Sequence, residues 1–250
     1  MSLYKVTRVE DLGGGVFCCV SQHHTFGTDA FLLSRFAAPR RHETACDLGT
    51  GCGIIPLLWF RQREQAPQWA AGLDIQQEAV FLAQESARRS GLEKVFFPVL
   101  GDLRYPKELP EPFLPGGFHL VTCNPPYKRM GTGVISRSES DQVARHEALC
   151  TLEEVCAAAA RLLRYGGRLC ICQLPERLPD LLEAMRRHNI EPKRLRFVQE
   201  RADTAPWLFL CEGRLGSKPF LQVEKPLLLR EQGEDSEEYR KLMGLYRKEA

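Results

Sequence analysis

Asp47-Leu-Gly-Thr-Gly-Cys-Gly53 is the stretch that decides the fold. It follows the apolar run Thr44 to Leu48, which predicts a buried strand, and precedes Ile54 to Arg63, which predicts a helix. Its three glycines, at alternate positions, allow a sharp turn and a close approach of the backbone to a ligand. The unpaired N–H groups and the positive dipole end of the following helix would face that ligand. The stretch therefore predicts a ligand-binding loop between a strand and a helix.

The same alternation of strand and helix patterns continues outward from this loop. Further strands are predicted at Ala70 to Ile75, Val95 to Leu100, Phe118 to Thr122, Leu169 to Leu174, Leu195 to Gln199 and Trp207 to Glu212. Further helices are predicted at Gln77 to Ser90, Leu152 to Arg164 and Leu178 to His188. Such alternation predicts a parallel sheet covered on both faces, and the last two strands lack a helix between them. The predicted fold class is therefore α/β, a doubly wound, mostly parallel sheet of seven strands with an antiparallel edge hairpin.

Two further segments flank the predicted sheet. The first reads as a hairpin with a turn at Gly13 to Gly15 and a helix from about Ala30, with Thr28 and Asp29 at the N-cap position. The last contains the acidic stretch Glu231 to Glu238 and predicts a strand or loop plus a peripheral helix. We predict three units: an extension packed on the core at 1–40, a main domain at 41–216, and a tail at 217–250.

Composition excludes several classes of protein. Hydrophobic residues make up 44% and charged residues 26%, a balance typical of a globular chain without long disorder. No apolar run approaches the roughly 18 residues of a membrane helix, and the start of the sequence lacks a signal-peptide core. We therefore expect no membrane association and a protein that stays in the compartment where it is made.

The cysteines and histidines indicate no metal site. None of the ten cysteines forms a Cys-x-x-Cys pair, and several lie in apolar runs where a free thiol behaves as a small hydrophobe. A reducing cytoplasm is the predicted location. His23 and His24 have no third ligand at a useful spacing, so they are interpreted as polar loop residues.

Three aspartates at predicted strand ends extend the candidate ligand site. Asp74 could accept two hydrogen bonds from ribose hydroxyls, Asp102 could face an adenine amino group, and Asp47 could meet an ammonium group directly or through water. Each could instead cap the following turn. Glycine at Gly53, with isoleucine next, departs from the dinucleotide pattern G-x-G-x-x-G and disfavours NAD.

Asn124-Pro-Pro-Tyr127 follows the fourth predicted strand and carries the candidate chemistry. Pro125 and Pro126 fix the backbone and supply no N–H, so their stretch offers carbonyl acceptors, and Asn124 adds an amide oxygen. Acceptors held side by side suit the two N–H bonds of a planar –NH₂ group, whose lone pair would then attack an electrophilic methyl group. Tyr127 offers a face for stacking a base. The bland alternative is an ordinary turn with Tyr127 as a core aromatic residue.

Together, the glycine loop and Asn124-Pro-Pro-Tyr127 resemble the class I amino-methyltransferases, which act on adenine, cytosine, guanine or glutamine amides. Phe26-Gly-Thr-Asp-Ala-Phe-Leu-Leu33 and Ala144-Arg-His-Glu147 are similar to the bacterial tRNA(Val) adenine-N6 methyltransferase family. The resemblance implies a Rossmann-like fold and S-adenosylmethionine as cofactor. It also implies that Thr28 and Asp29 close over the cofactor, and that Arg145 and His146 lie near the substrate mouth. The predicted cofactor-binding residues are Thr28, Asp29, Asp47, Gly49, Gly51, Gly53, Asp74, Ile75, Asp102, Leu103 and Asn124.

The resemblance favours methyl transfer to an adenine amino group in RNA, with tRNA as the partner. A protein-glutamine methyltransferase is the alternative within this chemistry, although that family usually carries a longer helical N-terminal domain. A DNA enzyme would normally bring a target-recognition domain, and a non-catalytic cofactor-binding RNA module would not need Asn124 and Tyr127. The oligomeric state is left open.

Two basic segments are candidates for RNA contact. The net charge is only +2, but seven basic residues fall within sixteen positions: Arg186, Arg187, His188, Lys193, Arg194, Arg196 and Arg201. This cluster could contact phosphates or simply be a solvated helix end and strand face. The segment 128–145 contains Lys128, Arg129 and Arg137 and is hypothesised to be ordered by RNA.

Overall fold

The computed structural model describes residues 4–62, 64–105, 107–125 and 150–244. Its helices are α1 (Thr28–Ala37), α2 (Ile54–Trp59), α3 (Gln77–Arg89), α4 (Leu152–Leu162), α5 (Leu178–Arg187) and α6 (Glu237–Met243). The long strands are β1 (Arg8–Gly13), β2 (Val16–Val20), β3 (Thr44–Leu48), β4 (Trp69–Asp74), β5 (Phe96–Leu100), β6 (Phe118–Cys123), β7 (Leu163–Gln173), β8 (Ile190–Gln199) and β9 (Leu208–Leu215). Four strands of two residues follow: β10 (Gln222–Val223), β11 (Leu227–Leu228), β12 (Arg230–Glu231) and β13 (Glu234–Asp235).

The central sheet has the predicted doubly wound topology. Its strand order is β10-β8-β9-β7-β6-β3-β4-β5, with β11 also paired to β8. Strands β3 to β7 are parallel, whereas β9 runs antiparallel to both β7 and β8. The chain passes from β3 to β4 and β5 and then returns to β6 on the other side of β3. This reversal creates a crevice at the carboxyl ends of β3 and β6, where ligands bind in such sheets.

The seven long strands of this sheet confirm the predicted fold class. The two short strands β10 and β11 come from the predicted tail and add to the edge strand β8, which makes nine strands in all. The separation of 1–40, 41–216 and 217–250 into three units stays a prediction.

Two apolar layers cover the faces of the sheet. On one face, α1, α2, α3 and the β1–β2 hairpin enclose the larger core cluster. On the other face, α4 and α5 pack with Phe113 and Phe118 in the second cluster. The hairpin is tied to α3 by two serines: Phe17 N–H donates to Ser90 Oγ at 2.9 Å, and Cys19 N–H donates to Ser86 Oγ at 2.8 Å. These bonds satisfy backbone donors that hairpin pairing leaves free.

Several predicted element boundaries differ from the structure: α2 ends at Trp59 rather than Arg63, and strands β7 and β8 begin at Leu163 and Ile190 rather than at Leu169 and Leu195. Helix α4 ends at Leu162 rather than near Arg164, because Leu163 is already extended and pairs with Phe118 at the start of β7. The N-cap of α1 is Gly27, without a side-chain hydrogen bond, so the predicted capping position at Thr28 and Asp29 is wrong. Both residues belong to the first turn of α1 instead.

Candidate active site

A cavity of about 280 Å³ opens at the carboxyl ends of β3, β4 and β6. Its walls combine the glycine loop, the turns after β4 and β5, and the start of the catalytic motif. The described residues that line it are His24, Leu48, Gly49, Gly51, Leu73, Asp74, Ile75, Gln76, Gly101, Asp102, Leu103, Arg104, Cys123, Asn124, Pro125 and Cys150. Predicted cofactor and catalytic residues from four different loops therefore meet in one crevice.

The glycine loop is fixed to the end of β4 by backbone hydrogen bonds. The N–H groups of Gly49 and Thr50 both donate to Leu73 O, at 2.8 and 3.0 Å. Gly49 and Gly51 have φ of 69° and 56°, and a Cβ at either position would meet no atom of the described residues within 4 Å. Since both residues line the cavity, a side chain at either position would take up space along its wall. Glycine is needed here for the backbone conformation and to keep the wall of the cavity free.

Gly53 has a different role from the other two glycines. It is the N-cap of α2, with φ of 84°, and it does not line the cavity. A Cβ there would lie 2.9 Å from the Phe96 ring and 3.1 Å from the Ala83 methyl group. The third glycine therefore allows the loop to pack closely on β5 and α3.

Asp74 connects the glycine loop to the turn after β4. One carboxylate oxygen accepts from Gly51 N–H at 2.8 Å and the other accepts from Gln76 N–H at 2.9 Å. Burial raises the pKa of Asp74, against the effect of these two hydrogen bonds. A carboxylate has about four lone-pair sites, so both oxygens keep acceptor capacity towards the cavity that Asp74 lines. Binding of ribose hydroxyls by Asp74 stays a prediction.

Asp47 lies behind the cavity wall, at 1% exposure, and is not one of its lining residues. Thr122 Oγ1 donates to Asp47 Oδ1 at 2.6 Å, whereas Asp47 Oδ2 is buried without a hydrogen-bond partner among the described residues. Burial raises the pKa of Asp47 from its ordinary 3.8 to about 7. An ammonium group, or a water bound to one, would satisfy this carboxylate. Because Asp47 lies behind the cavity wall, the water-mediated form of the predicted contact is favoured over the direct one.

Asp102 already holds a partner that the sequence reasoning missed. Arg104 Nε lies 2.9 Å from both carboxylate oxygens of Asp102, and Arg104 also lines the cavity. This guanidinium holds the pKa of Asp102 below its ordinary value. An adenine amino group at Asp102 would therefore share the carboxylate with Arg104. Leu103 and Ile75 contribute apolar side chains to the wall of the same cavity.

Asn124 begins the candidate catalytic motif, and two of the described side chains hydrogen-bond to it. Its Nδ2 donates to Asp29 Oδ2 at 2.8 Å, and the Cys172 thiol donates to its Oδ1 at 3.1 Å. Pro125 follows it in the cavity wall. The predicted catalytic residues Pro126 and Tyr127 lie outside the described residues, as do the 128–145 segment, Arg145 and His146.

Of three further residues considered in the sequence analysis or next to the site, His24 lines the cavity, whereas Thr28 and Cys52 do not. Thr28 opens α1 but is not a lining residue of the cavity. Cys52, inside the glycine loop, faces away from the cavity and lies 3.6 Å from Cys18, Sγ to Sγ. His24, interpreted from sequence as a polar loop residue, lines the cavity instead, with Nε2 3.9 Å from Glu78 Oε2. Burial lowers the pKa of His24, which favours a neutral ring near pH 7.

A family model described as a methyltransferase domain matches residues 39–207. The chain belongs to the methyltransferase-domain family. The matched range begins just before β3 and ends at the start of β9, so it contains the whole parallel sheet and the glycine loop.

Several curated relatives of this methyltransferase-domain chain share one name, tRNA1(Val) (adenine(37)-N6)-methyltransferase. The protein from Proteus mirabilis is 27% identical over 58% of this chain and 55% of its own length. That from Porphyromonas gingivalis is 28% identical over 75% of this chain and 73% of its own. That from Tolumonas auensis is 27% identical over 82% of this chain and 81% of its own. The match thus spans about half of the length of the first relative, and 73% and 81% of the other two.

Solved structures share the fold of the methyltransferase domain. A predicted O-methyltransferase from Agrobacterium tumefaciens is similar, with a TM-score of 0.67 and 18% identity over 86% of this chain and 94% of that one. Geranyl diphosphate C-methyltransferase from Streptomyces coelicolor, solved with S-adenosyl-L-homocysteine, has a TM-score of 0.52 and 13% identity over 74% of each chain. Because the identities are low, these likenesses show the Rossmann-like fold alone.

S-adenosylmethionine, the predicted cofactor, fits the residues of this site. The two lining glycines leave open space where any side chain would intrude, and the buried Asp47 Oδ2 offers an unpaired acceptor to a cationic group. Asp74 and Asp102 place carboxylates on the wall for hydroxyl and amino donors. Within the described ranges, no group of three or more histidine, cysteine or acidic side chains could hold a metal ion, and no helix is long and apolar enough to cross a bilayer.

The basic cluster at 186–201 is largely neutralised by acids of the same chain. Arg186 pairs with Glu191, Arg187 with Glu183, His188 with Glu153, Arg194 with Glu212 and Glu224, Arg196 with Glu238, and Arg201 with Asp203. Lys193 donates to the backbone carbonyl of Lys218. The tail at 217–250 therefore contributes two of these acids, Glu224 and Glu238. The arrangement favours the reading as a paired, solvated surface over a phosphate-binding patch.

Proposed function

We propose that this chain is an S-adenosylmethionine-dependent methyltransferase that modifies the exocyclic amino group of adenine in RNA, with tRNA as the substrate class. One observation carries the proposal: Asn124 and Pro125 form part of the same cavity wall as Gly49, Gly51 and Asp74. An acceptor for an amino group is thereby held beside the predicted cofactor site. The names of the curated relatives support adenine in tRNA as the target. A cytoplasmic location, predicted from the cysteine content, is part of the proposal.

The residues of this chain would act by alignment and electrostatic support. When bound, the cofactor supplies a methyl group on a positively charged sulfur, which is already a strong electrophile. The two N–H groups of the amino group would donate hydrogen bonds to Asn124 Oδ1 and to a carbonyl of the following proline stretch. These two bonds would direct the nitrogen lone pair at that methyl carbon. An N–C bond would form as the bond from that methyl carbon to sulfur breaks, and the electron pair of the broken bond would stay on sulfur. The nitrogen then loses one proton to solvent, so no strong base is needed.

The decisive experiment is methyl transfer from labelled S-adenosylmethionine into unmodified total tRNA, with nucleosides identified by mass spectrometry. Appearance of N6-methyladenosine supports reaction and substrate class together. Calorimetry with S-adenosylhomocysteine provides the control that the protein is folded and binds cofactor. Cofactor binding without label in tRNA would contradict the RNA target named here, and the same assay on ribosomal RNA and on glutamine-containing protein would then identify the acceptor.

A further inference from the structure

We propose that Asp29 is a positioning residue for methyl transfer, whose carboxylate fixes the orientation of the Asn124 amide. The inference rests on the proposed function, because it concerns the amide that would receive the acceptor amino group. It goes beyond two sequence-based expectations for Asp29: a helix cap, which the structure excludes, and closure over the cofactor, which the resemblance implied and which stays a prediction.

The contact joins two distant parts of the chain. Asp29 is in the first turn of α1, and Asn124 follows β6, yet Asp29 Oδ2 accepts from Asn124 Nδ2 at 2.8 Å. The pair is partly buried and separated by 95 positions in sequence. An N–H donor bonded to a carboxylate makes a charge-assisted hydrogen bond, which is about twice as strong as a neutral one.

The backbone before Asp29 leaves room for this carboxylate. A Cβ at Gly27 would lie 2.6 Å from Asp29 Oδ1, closer than two such atoms can approach. Glycine at the N-cap position therefore fits the position of the Asp29 side chain, although serine, threonine or aspartate would cap a helix better. A substitution at Gly27 would push the carboxylate away from Asn124.

The chemistry of the two partners selects one amide orientation. An ionised carboxylate only accepts hydrogen bonds, so it requires the –NH₂ end of the Asn124 amide. The Cys172 thiol donates to the other end, Oδ1, at 3.1 Å and is compatible with the same orientation, although a thiol is also a weak acceptor. Rotating the amide by half a turn would place an oxygen against the carboxylate and an –NH₂ group against the thiol. Asp29 thereby keeps the acceptor atom of Asn124 away from itself.

This orientation is what the proposed reaction needs. In this orientation the acceptor atom of the amide, Oδ1, is on the side away from Asp29, and an acceptor is what the amino group of the substrate needs. The negative charge of Asp29 on the amide nitrogen side also polarises the amide and strengthens acceptance at the oxygen. With Asp29 removed, the amide could present a donor to the acceptor amino group, which cannot use it.

The test separates positioning from cofactor binding. Asp29→Ala should lower kcat roughly 10- to 100-fold, since a small misplacement of a reacting group costs that much, while the Kd for S-adenosylhomocysteine changes less than about twofold. Asp29→Asn, which keeps the shape and one acceptor oxygen, should recover part of the loss. The exposed Asp235→Asn is the matched acid-to-amide control and should leave kcat and Kd unchanged.

A double-mutant cycle with Asn124→Ala gives the sharper result. If Asp29 acts through Asn124, then Asp29→Ala should have no further effect on kcat once Asn124 is alanine. Additive losses would overturn the inference, and so would a large rise in Kd with kcat retained at saturation, which would assign Asp29 to the cofactor.

A measurement without turnover keeps the inference independent of the proposed substrate. In ¹H–¹⁵N spectra, the Asn124 side-chain amide is identified by its loss in Asn124→Ala. Its proton hydrogen-bonded to Asp29 should lie downfield and exchange slowly, and it should lose both features in Asp29→Ala. An unchanged resonance would contradict the contact itself. Failure of the wild-type protein to label tRNA would contradict only the proposed function.

Discussion

At the scale of single residues, Asn124 has the most specific environment in the site. It lies in the cavity wall with its amide held between a carboxylate and a thiol. Asp47 is far from Asn124 in sequence but lies on β3, the strand next to β6. One of its carboxylate oxygens accepts a hydrogen bond, and the other is buried without a hydrogen-bond partner among the described residues. In the proposed function, Asn124 would accept a hydrogen bond from the amino group of the substrate, and Asp47 would interact with a positive charge on the cofactor.

Replacing Asn124 with alanine should separate catalysis from binding. Asn124→Ala removes one of the acceptors proposed to hold the amino group, so kcat should fall about 100- to 1,000-fold, the usual effect of losing one transition-state hydrogen bond. Cofactor affinity, measured by calorimetry with S-adenosylhomocysteine, should stay within about threefold because other lining residues carry it. Near-normal turnover in this variant would exclude the proposed mechanism.

The pKa of Asp47 predicts a pH dependence of cofactor affinity. Burial places this pKa at about 7, so below that pH the carboxyl is largely protonated and cannot pair with an ammonium group. Affinity for S-adenosylhomocysteine should therefore rise roughly tenfold between about pH 6 and about pH 7.5, and Asp47→Asn should flatten this profile. The same slope in wild type and Asp47→Asn would assign the dependence to another group.

Protein stability should change with pH in the opposite direction. The folded pKa of Asp47 is above its ordinary value of 3.8, so its folded state binds more protons than the unfolded state between these values. The contribution of Asp47 to stability is complete below about pH 4 and is lost as the pH rises towards 7. Bound cofactor should offset this loss by pairing with the charged form.

At the scale of elements, the strand–loop–helix unit around the glycine loop combines two kinds of glycine. Gly49 and Gly51 keep ligand space open, whereas Gly53 allows α2 to begin against Phe96 and Ala83. All three have positive φ. Two of the glycines therefore keep the cavity wall free of side chains, and the third permits the close packing of α2 and α3 on the sheet.

Two matched alanine substitutions should separate these roles. Gly53→Ala combines a positive φ with a methyl group 2.9 Å from Phe96, and it should lower the free energy of unfolding by about 3 kcal/mol. Gly51→Ala meets no protein atom within 4 Å, and it should cost only about 1 kcal/mol of stability while weakening cofactor binding at least about tenfold. Denaturant unfolding and calorimetry measure the two effects. Equal losses of stability would contradict the distinction.

At the scale of the whole molecule, Arg168 joins the segment around α1 to the antiparallel edge of the sheet. It lies on β7 at 8% exposure, donates to Ala37 O at 2.9 Å and to Glu43 at 2.7 Å, and lies 3.5 Å from Glu212 of β9. A single side chain therefore satisfies the C-terminal end of α1 and balances two buried carboxylates. Since α1 also carries Asp29, this network helps to fix the position of the site.

Removing Arg168 should be costly for stability. Arg168→Met leaves the buried Glu43 without its cation, although Glu212 keeps its ion pair with Arg194, and breaking a buried ion pair in this way costs about 3–5 kcal/mol. The control Arg187→Met breaks an exposed pair with Glu183 on α5 and should cost at most about 1 kcal/mol. Chemical unfolding of both variants tests the prediction, and a similar small loss in each would exclude a structural role for the buried network.

The paired state of the basic cluster predicts its behaviour towards RNA. Arg187 and Arg201 are already paired with Glu183 and Asp203. We therefore expect them to neutralise few RNA phosphates and to release few of the counterions bound to the RNA. Replacing both with glutamine should leave the dependence of tRNA affinity on salt concentration unchanged, as measured by filter binding. A clearly shallower slope would show that the cluster contacts the RNA backbone after all.

Local sequence patterns determined the fold and the approximate place of the site. The strand and helix periods and the glycine spacing predicted the seven long strands of the sheet, and the position of each acid after a strand predicted a shared edge. These features depend on local geometry: the side-chain period sets the element, and parallel strands bring their carboxyl ends together. The helix end near Leu162 was less accurate because a tertiary partner, Phe118, overrides local propensity there.

Only the tertiary structure decided which side chains of this site face one another. No motif or spacing in the sequence predicts four of these placements: the bond of Arg104 to Asp102, that of Asn124 to Asp29, the ion pair of Arg196 with Glu238, and the position of His24 in the cavity wall. Most of them join positions far apart in the chain, and burial and hydrogen-bond geometry exist only after the elements have packed. The sequence alone therefore determined that this chain binds a ligand on a Rossmann-like sheet, whereas packing decided that Asp29 reaches Asn124, that Asp47 lies behind the wall, and that the arginines are already paired.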